Sequence, residues 1–158
     1  MVRRRGRPET LSPLFHLFAA SQAVGGLLAD ALASSPLTPA QYAFYSAVRE
    51  LQPVSPTDLS RRLGMAFTTT TDTIKEMVRR GHAVRVRNPA DGRSFLIRLS
   101  EDGEVDHQLT HEAFEVVELT VARLLGARRV EVIEALEMLQ SAAASAHEQL
   151  RSDVADTA

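Results

Sequence analysis

Residues 83–99 read AVRVRNPADGRSFLIRL, and apolar residues alternate with other residue types on both sides of a short polar stretch. Alternation with a period of two is typical of a β-strand. The polar stretch, Asn88-Pro89-Ala90-Asp91-Gly92-Arg93, is rich in the residue types that form turns. The segment therefore predicts a β-hairpin with a basic tip.

Three helices are predicted on the N-terminal side of the hairpin. Thr38 and Gln41 have the spacing of a capping box, which starts a helix that should end near Leu51. Ser55, followed by proline, starts the next helix in the same way. The third helix should extend from about residue 67 to residue 80.

Longer amphipathic segments lie on either side of this region. Apolar residues at helical spacing between residues 14 and 32 predict a first helix, and the Gly25-Gly26 pair inside it suggests a bend or a close helix–helix approach. After the hairpin, the pattern predicts a helix over residues 101–125 and a last helix that ends near residue 151.

Charge is unevenly distributed along the chain. Residues 1–37 have a net charge of +2, residues 38–100 of +5, and residues 101–158 of −9. Seventeen of the 18 cationic residues are arginine, whose guanidinium suits bidentate contact with phosphate and guanine. A basic centre beside an acidic C-terminal part indicates a surface for a polyanion such as nucleic acid.

Several classes of function are excluded by what the sequence lacks. The absence of cysteine excludes disulfides, thiolate zinc sites and cysteine nucleophiles. No G-x-S-x-G, P-loop or H-E-x-x-H sequence occurs, so the chain is not expected to be an enzyme. No uninterrupted apolar run of about 18 residues occurs, so the sequence predicts no membrane span and a cytoplasmic location.

Two helices joined by a tight turn and followed by a basic hairpin are typical of a winged helix-turn-helix, a DNA-binding unit. The second helix would enter the major groove, and the hairpin, or wing, an adjacent minor groove. Candidate DNA contacts on that helix are Thr68, Thr69, Thr71, Asp72, Lys75 and Arg79. Candidate contacts in the wing are Arg85, Arg87, Asp91 and Arg93.

Four stretches follow one another in a characteristic order: LTPAQY at residues 37–42, DLSRRLG at 58–64, NPADGR at 88–93 and LIRLSEDG at 96–103. In these stretches, and over nearly its whole length, the chain resembles the MarR family of bacterial transcription regulators. The resemblance implies a homodimer that binds a pseudo-palindromic double-stranded DNA operator, and a small, often aromatic, ligand that releases the DNA.

The resemblance also bears on individual positions. It implies that Asp91 orients the side chain of Arg93. Ala66 stands where the family usually has a capping residue, and Phe67 and Asp72 stand where basic side chains are common. No cofactor is expected.

The predicted fold class is mainly α with a small β-hairpin wing, in which dimerisation helices flank a winged helix-turn-helix core. Residues 1–36 form a basic tail and the first dimerisation helix, and residues 37–100 the DNA-binding domain. Residues 101–151 form a long helix and the C-terminal dimerisation helix, and residues 152–158 are expected to be a disordered tail.

Aromatic residues are the candidates for a ligand pocket where the first, second and fifth helices converge. They are Phe15, His16, Phe18, Phe44, Tyr45 and Phe114. The alternative is that these side chains pack as core.

Two alternative functions stay open at this point. His107 and His111 lie four residues apart near Glu104 and Glu115, which is the spacing of metal ligands on a helix, and His16 is the one obvious additional ligand. A metal-responsive regulator of the same fold is therefore an alternative. A winged-helix module for protein interaction is the other, although its central segment would not need a net charge of +5.

Overall fold

The computed structural model describes residues 12–155, which form six α-helices, one 3₁₀ turn and a two-stranded antiparallel hairpin in that range. The predicted fold class, mainly α with a small wing, is confirmed. The elements are α1 (Pro13–Ala31), α2 (Pro39–Leu51), α3 (Pro56–Leu63), α4 (Phe67–Arg79), β1 (Ala83–Arg87), β2 (Phe95–Leu99), α5 (Glu101–Leu125), the 3₁₀ turn (Gly126–Arg128) and α6 (Arg129–Ala155).

Local side-chain chemistry fixes where most of the helices begin. At the start of α2, Thr38 Oγ1 accepts from the backbone N–H of Gln41 at 3.3 Å, and Gln41 Oε1 accepts from the N–H of Thr38 at 3.0 Å. Ser55 caps α3 and Ser100 caps α5. Their hydroxyl oxygens accept from the backbone N–H of Asp58 and of Gly103, both at 3.1 Å. The predicted starts of these three helices are therefore confirmed. Each cap stabilises its helix because it satisfies a backbone donor that the first helical turn leaves free.

The core lies where α2, α3, α4 and β2 meet. Its fully buried apolar side chains include Leu37, Tyr45, Val48, Leu59, Ile74, Met77 and Ile97. Gly64, with a φ of 63°, ends α3 in the left-handed conformation that lets the chain turn into α4. This packing holds α3 and α4 as the predicted helix-turn-helix pair.

The register of the hairpin shows which of its sides faces the core. Arg85 pairs with Ile97 and Arg87 with Phe95, so both arginines lie on the face of the hairpin to which β2 contributes the buried Ile97. Val84, on the opposite side, is 37% exposed. The linker after α2 adds to β2, since Val54 and Ile97 exchange backbone hydrogen bonds of 3.0 and 2.8 Å.

No element of the same protomer approaches the Gly25-Gly26 pair closely. Helix α1 passes through it without interruption, and a Cβ added at either glycine would meet nothing within 4 Å. The expected end of the last helix is wrong. Helix α6 continues to Ala155, four residues past its expected end, because neither glycine nor proline follows Arg151. The other residues of the expected tail, 156–158, lie outside the described range.

Apolar side chains cover much of the outer surface of α1, α5 and α6. Helix α1 has no buried residue, and Leu14 and Phe18 are 63% and 62% exposed. Although polar residues interrupt its apolar run, α1 is long and apolar enough to cross a membrane, with a mean hydropathy of 1.2. Core helices of soluble proteins can have the same length and hydropathy.

Candidate nucleic-acid interface

Helix α4 has one face in the core and one face open to solvent. Thr70, Ile74 and Met77 are buried, and they hold the helix against the rest of the domain. The predicted contact residues lie on the other side: Thr68, Thr69, Asp72, Lys75 and Arg79 are exposed, and Thr71 is half-buried at the edge. The buried face thus leaves the whole predicted contact surface free to enter a groove.

The charged residues of α4 neutralise one another. Lys75 Nζ lies 2.7 Å from Asp72 Oδ1, and the guanidinium of Arg79 donates to both carboxylate oxygens of Glu76 at 2.6 and 2.7 Å. The hydrogen bond from Arg79 lowers the pKa of Glu76 below its ordinary value. With these two pairs, α4 has no net charge along its length.

The threonine run is compatible with a helix because its hydroxyls bond to the helix backbone. Thr70, Thr71 and Thr73 donate to the carbonyl oxygens of Ala66, Thr68 and Thr69 at 3.1, 2.8 and 2.9 Å. Such bonds satisfy the hydroxyl inside its own helix. The γ-methyl groups of these three threonines take no part in the hydrogen bonds.

The wing tip is shaped by side chains that bind the backbone. Asn88 Oδ1 accepts from the N–H of Ala90, and Asp91 Oδ1 accepts from the N–H of Arg93, both at 3.0 Å. Asp91 therefore positions Arg93 through its backbone, and the expectation that it orients the Arg93 side chain is wrong. An Asx turn satisfies the carboxylate locally, which leaves the guanidinium free to project from the tip.

The wing carries the unpaired positive charge of this surface. Arg85 lies over the ring of Phe95, 4.6 Å from its centroid, and the Arg87 guanidinium lies beside Gly92. Arg93 and Arg98 are exposed. Within residues 12–155, no acidic side chain comes within ion-pair distance of any of these four arginines.

Helix α4 and the wing meet across a shared cleft of about 490 Å³. Phe67, the first residue of α4, and Thr71 line one side, and Asn88, Arg93 and Phe95 line the other. Phe67 is 53% exposed, although it is a large apolar side chain. The exposed face of α4 and the wing tip with Arg93 therefore form one continuous surface, which we call the contact surface.

The six aromatic candidates for a ligand pocket are not brought together. Phe44 and Tyr45 are buried in the winged-helix core, whereas Phe15, His16 and Phe18 lie exposed on α1. Phe114 packs on Tyr42, with 4.9 Å between the ring centroids. It also lines an apolar groove of about 440 Å³ between α1, α5 and α6, together with Val24, Leu28, Val121, Ile133 and Leu136.

His107 and His111 are held by polar neighbours from α2. Arg49 donates to His107 Nδ1 at 3.3 Å, so the neutral ring carries its proton on Nε2, which lies 2.9 Å from Ser46 Oγ. Burial, with help from Arg49, lowers the pKa of His107. His111 Nδ1 lies 2.7 Å from the Tyr42 hydroxyl.

This arrangement does not favour metal binding at the histidine pair. Both ring nitrogens of His107 already have partners, and a metal needs a free nitrogen lone pair. Among the described residues, no group of three or more histidine and acidic side chains is placed to hold a metal ion.

A polar network between α2 and α5 was missed by the sequence reasoning. Arg49 forms an ion pair of 3.2 Å with Glu104, and Gln52 donates to the same carboxylate at 2.9 Å. Gln52 Oε1 also accepts from the backbone N–H of Leu99 at the end of the wing. No motif marks these residues, because only the packing of α2 on α5 makes them neighbours.

Comparison with known proteins places these features in a family. The sequence profile of the MarR family matches residues 35–94, which span α2, α3, α4 and the wing tip. No curated protein gave a match.

Solved structures extend the likeness over most of the chain. The PcaV transcriptional regulator from Streptomyces coelicolor, in complex with its natural ligand, is 26% identical with a TM-score of 0.68, over 84% of this chain and 93% of that one. The repressor CouR, bound to a 23-mer DNA duplex, is 24% identical with a TM-score of 0.69, over 84% and 92%. Wild-type MarR from E. coli is 22% identical with a TM-score of 0.66, over 82% and 97%.

These matches agree with the element order and with the motifs in the winged-helix segment. Family and fold are those of DNA-binding transcription regulators and not of enzymes. Residues 35–94 match the MarR family of winged-helix transcription regulators, and the chain shares the fold of its solved members over most of its length.

Proposed function

We propose that the protein is a homodimeric repressor that binds a pseudo-palindromic operator, with α4 in the major groove and the wing in the adjacent minor groove. The observation that carries this proposal is the contact surface, in which Arg93, a wing arginine without an acidic partner in the described range, lines the same cleft as Phe67 and Thr71 of α4. Arginine is favoured in a narrow minor groove by its strong negative potential. Residues 37–100 would be the DNA-binding domain.

DNA binding is tested by selecting duplexes from a random-sequence library with the purified protein. We expect enrichment of one sequence with two related half-sites, since a two-fold symmetric dimer reads a palindrome. Binding to the enriched duplex should weaken steeply between 50 and 200 mM salt, because phosphate contacts release counterions. Failure to enrich any sequence would contradict sequence-specific binding, and would leave a protein-interaction module as the better explanation.

The dimer would be held by α1 and by α6 with the end of α5. Its proposed interface sets Leu14, Leu17, Phe18, Val24 and Leu28 against Ile133, Leu136, Leu139, Ala143 and Leu150. A second copy explains the exposed apolar surface better than a membrane does. A membrane around α1 would leave Leu124 on α5 and Met138 on α6, 78% and 70% exposed, without cover. We propose a cytoplasmic location, because a transcription regulator must reach DNA.

We infer that a small apolar or aromatic ligand releases the DNA, and that it enters the groove lined by Phe114, Val24 and Ile133. The groove is almost entirely apolar, as small-molecule sites usually are. Phe114 packs at a tilt on Tyr42, whose hydroxyl lies 2.7 Å from His111 Nδ1, so the groove adjoins α2 of the DNA-binding domain. The PcaV structure contains its natural ligand, which supports the same expectation for this chain.

Ligand response is tested by titrating a panel of aromatic carboxylic acids into the protein bound to its selected duplex. An effector should lower DNA affinity and raise the midpoint of thermal unfolding in the absence of DNA. Phe114→Ala should reduce both effects together. If no compound changes either quantity, a ligand role for the groove is contradicted, and residues such as Val24 and Ile133 are left with only their proposed place at the dimer interface.

A further inference from the structure

The cations of α4 are poorly placed to read bases. A side chain that identifies guanine does so by donating hydrogen bonds to O6 and N7. Lys75 and Arg79 donate instead to Asp72 and Glu76, at 2.6 to 2.7 Å. A contact with guanine would bring the paired carboxylate of Asp72 or Glu76 toward the bases together with the cation.

Thr71 has a methyl group to offer but no free hydrogen-bond donor. It donates its hydroxyl hydrogen to the carbonyl oxygen of Thr68, so a ligand would meet its γ-methyl group and an oxygen that can only accept. Phe67 precedes Thr71 by one helical turn, and both side chains line the cleft beside the wing. Phe67 is 53% exposed, and Thr68 is exposed next to it. This end of α4 thus presents an apolar patch inside a polar surface.

An apolar side chain in the major groove has one base group to contact. Thymine carries a 5-methyl group there, and phenylalanine and threonine methyl groups are among the side-chain groups that pack on it. We propose that α4 selects its operator mainly through thymine methyl groups, contacted by Phe67, Thr68 and Thr71, and that the wing arginines supply affinity. This inference rests on the proposed function as a DNA-binding regulator.

The first arm of the test changes the DNA. In the duplex selected from the random library, each thymine is replaced in turn by deoxyuridine, which removes the methyl group and keeps the base pair. At one or more positions in each half-site we expect about fourfold weaker binding, the equivalent of one buried carbon group. Replacing the same thymine by cytosine should weaken binding further, and 5-methylcytosine should recover about fourfold relative to cytosine.

The second arm changes the protein with a matched pair of variants. Thr71→Ser removes the methyl and keeps the hydroxyl, whereas Thr71→Val keeps the methyl and removes the hydroxyl. Thr71→Ser and Phe67→Ala should weaken binding to the thymine duplex, and Thr71→Val should retain the penalty that deoxyuridine causes in the parent. For the residue that reads a given thymine, the penalty of deoxyuridine should disappear in the variant, because the methyl has lost its partner.

The outcomes separate this inference from the function on which it rests. If no duplex is selected, the proposed function fails before α4 is tested. If a duplex is selected and every deoxyuridine substitution binds like thymine, methyl readout is overturned while the regulator stands. A penalty for deoxyuridine that stays unchanged in Phe67→Ala, Thr68→Ser and Thr71→Ser also overturns it, because DNA shape would then be the cause.

Discussion

Two residues at the start of α5, Ser100 and Gly103, pack closely against the backbone that follows α4. Gly103 lies in the first turn of α5, against the chain reversal that follows α4, and an added Cβ would overlap the backbone carbonyl oxygen of His82. Ser100, the cap of α5, donates to the carbonyl oxygen of Gly81 at 2.6 Å in the same place. The close approach explains why this helix contains glycine near its start.

Gly103→Ala should therefore destabilise the protein, although alanine is the better helix former. Within a helix the exchange ordinarily stabilises by about 1 kcal/mol. Here the backbone must shift, which costs about 1–3 kcal/mol in a packed region. Urea unfolding at fixed protein concentration measures the difference, and Glu101→Ala, at the exposed first residue of α5, is the control. An unchanged or higher free energy of unfolding for Gly103→Ala would contradict the tight contact.

His107 should make the stability of the protein depend on pH. Burial and the neighbouring Arg49 and His111 lower its pKa in the folded state, while Glu104 opposes them. The unfolded chain, with an ordinary histidine pKa near 6.5, then binds the proton more readily. Stability is full above this pH and falls as the pH drops below it, by at most about 1.4 kcal/mol per pH unit for one group.

Urea unfolding of the parent and of His107→Gln at pH 7.5 and pH 5.5 tests this prediction. Glutamine can still meet Ser46 and Arg49 but does not titrate. We expect the parent to lose more stability than the variant between the two pH values. Equal losses would show that His107 is not the group that takes up the proton.

Individual elements show how far the sequence alone could lead. The starts of α2, α3 and α5 follow from serine or threonine caps within three residues, so they could be read locally. Alternation in β1 separates Val84 from Arg85, but it does not tell which of them lies on the side of Ile97. That choice depends on how the hairpin packs on α2, a contact between residues distant in sequence.

The candidate site likewise has features that the local sequence predicts and features that only the folded structure shows. The sequence identified the exposed face of α4 and the arginine tip of the wing, because both follow from periodicity and turn chemistry. It could not show that Lys75 and Arg79 are paired, nor that Phe44 and Tyr45 are enclosed, because these depend on distances between side chains. The network of Arg49, Gln52 and Glu104 depends equally on how α2 and α5 are packed.

The contact surface predicts that the wing and α4 contribute differently to salt dependence. Arg93 has no acidic partner in the described range, so Arg93→Ala should remove a phosphate contact from each subunit and lower the log–log salt slope by about 0.9 per contact. The double variant Asp72→Ala with Lys75→Ala removes a neutral pair and should leave the slope unchanged. Binding titrations at four salt concentrations give both slopes. A larger change for the double variant than for Arg93→Ala would assign the phosphate contacts to α4.

At the scale of the whole molecule, dimerisation and operator recognition are coupled in our proposal. One protomer leaves Leu136 half exposed, together with Leu14 and Phe18 on α1. Two recognition helices held one helical turn of DNA apart would bind both half-sites, whereas a single subunit reaches only one. The apolar faces of α1 and α6 are therefore expected to determine operator affinity without touching the DNA.

Leu136→Glu should separate the subunits. Burial of a leucine side chain is worth about 1.5–3 kcal/mol, a symmetric interface contains two copies, and 1.4 kcal/mol is a factor of ten in affinity. An unpaired carboxylate in that place adds a further cost. We therefore expect the dimer dissociation constant to rise at least tenfold, measured by sedimentation over a concentration series. Val84→Glu, the same kind of change on the outer side of the wing, should leave the dissociation constant unaltered.

With Leu136→Glu, binding to a duplex with two half-sites should approach binding to one half-site, because avidity is lost. A stable folded monomer in the parent protein, or a Leu136→Glu dimer as tight as the parent, would contradict the proposed interface.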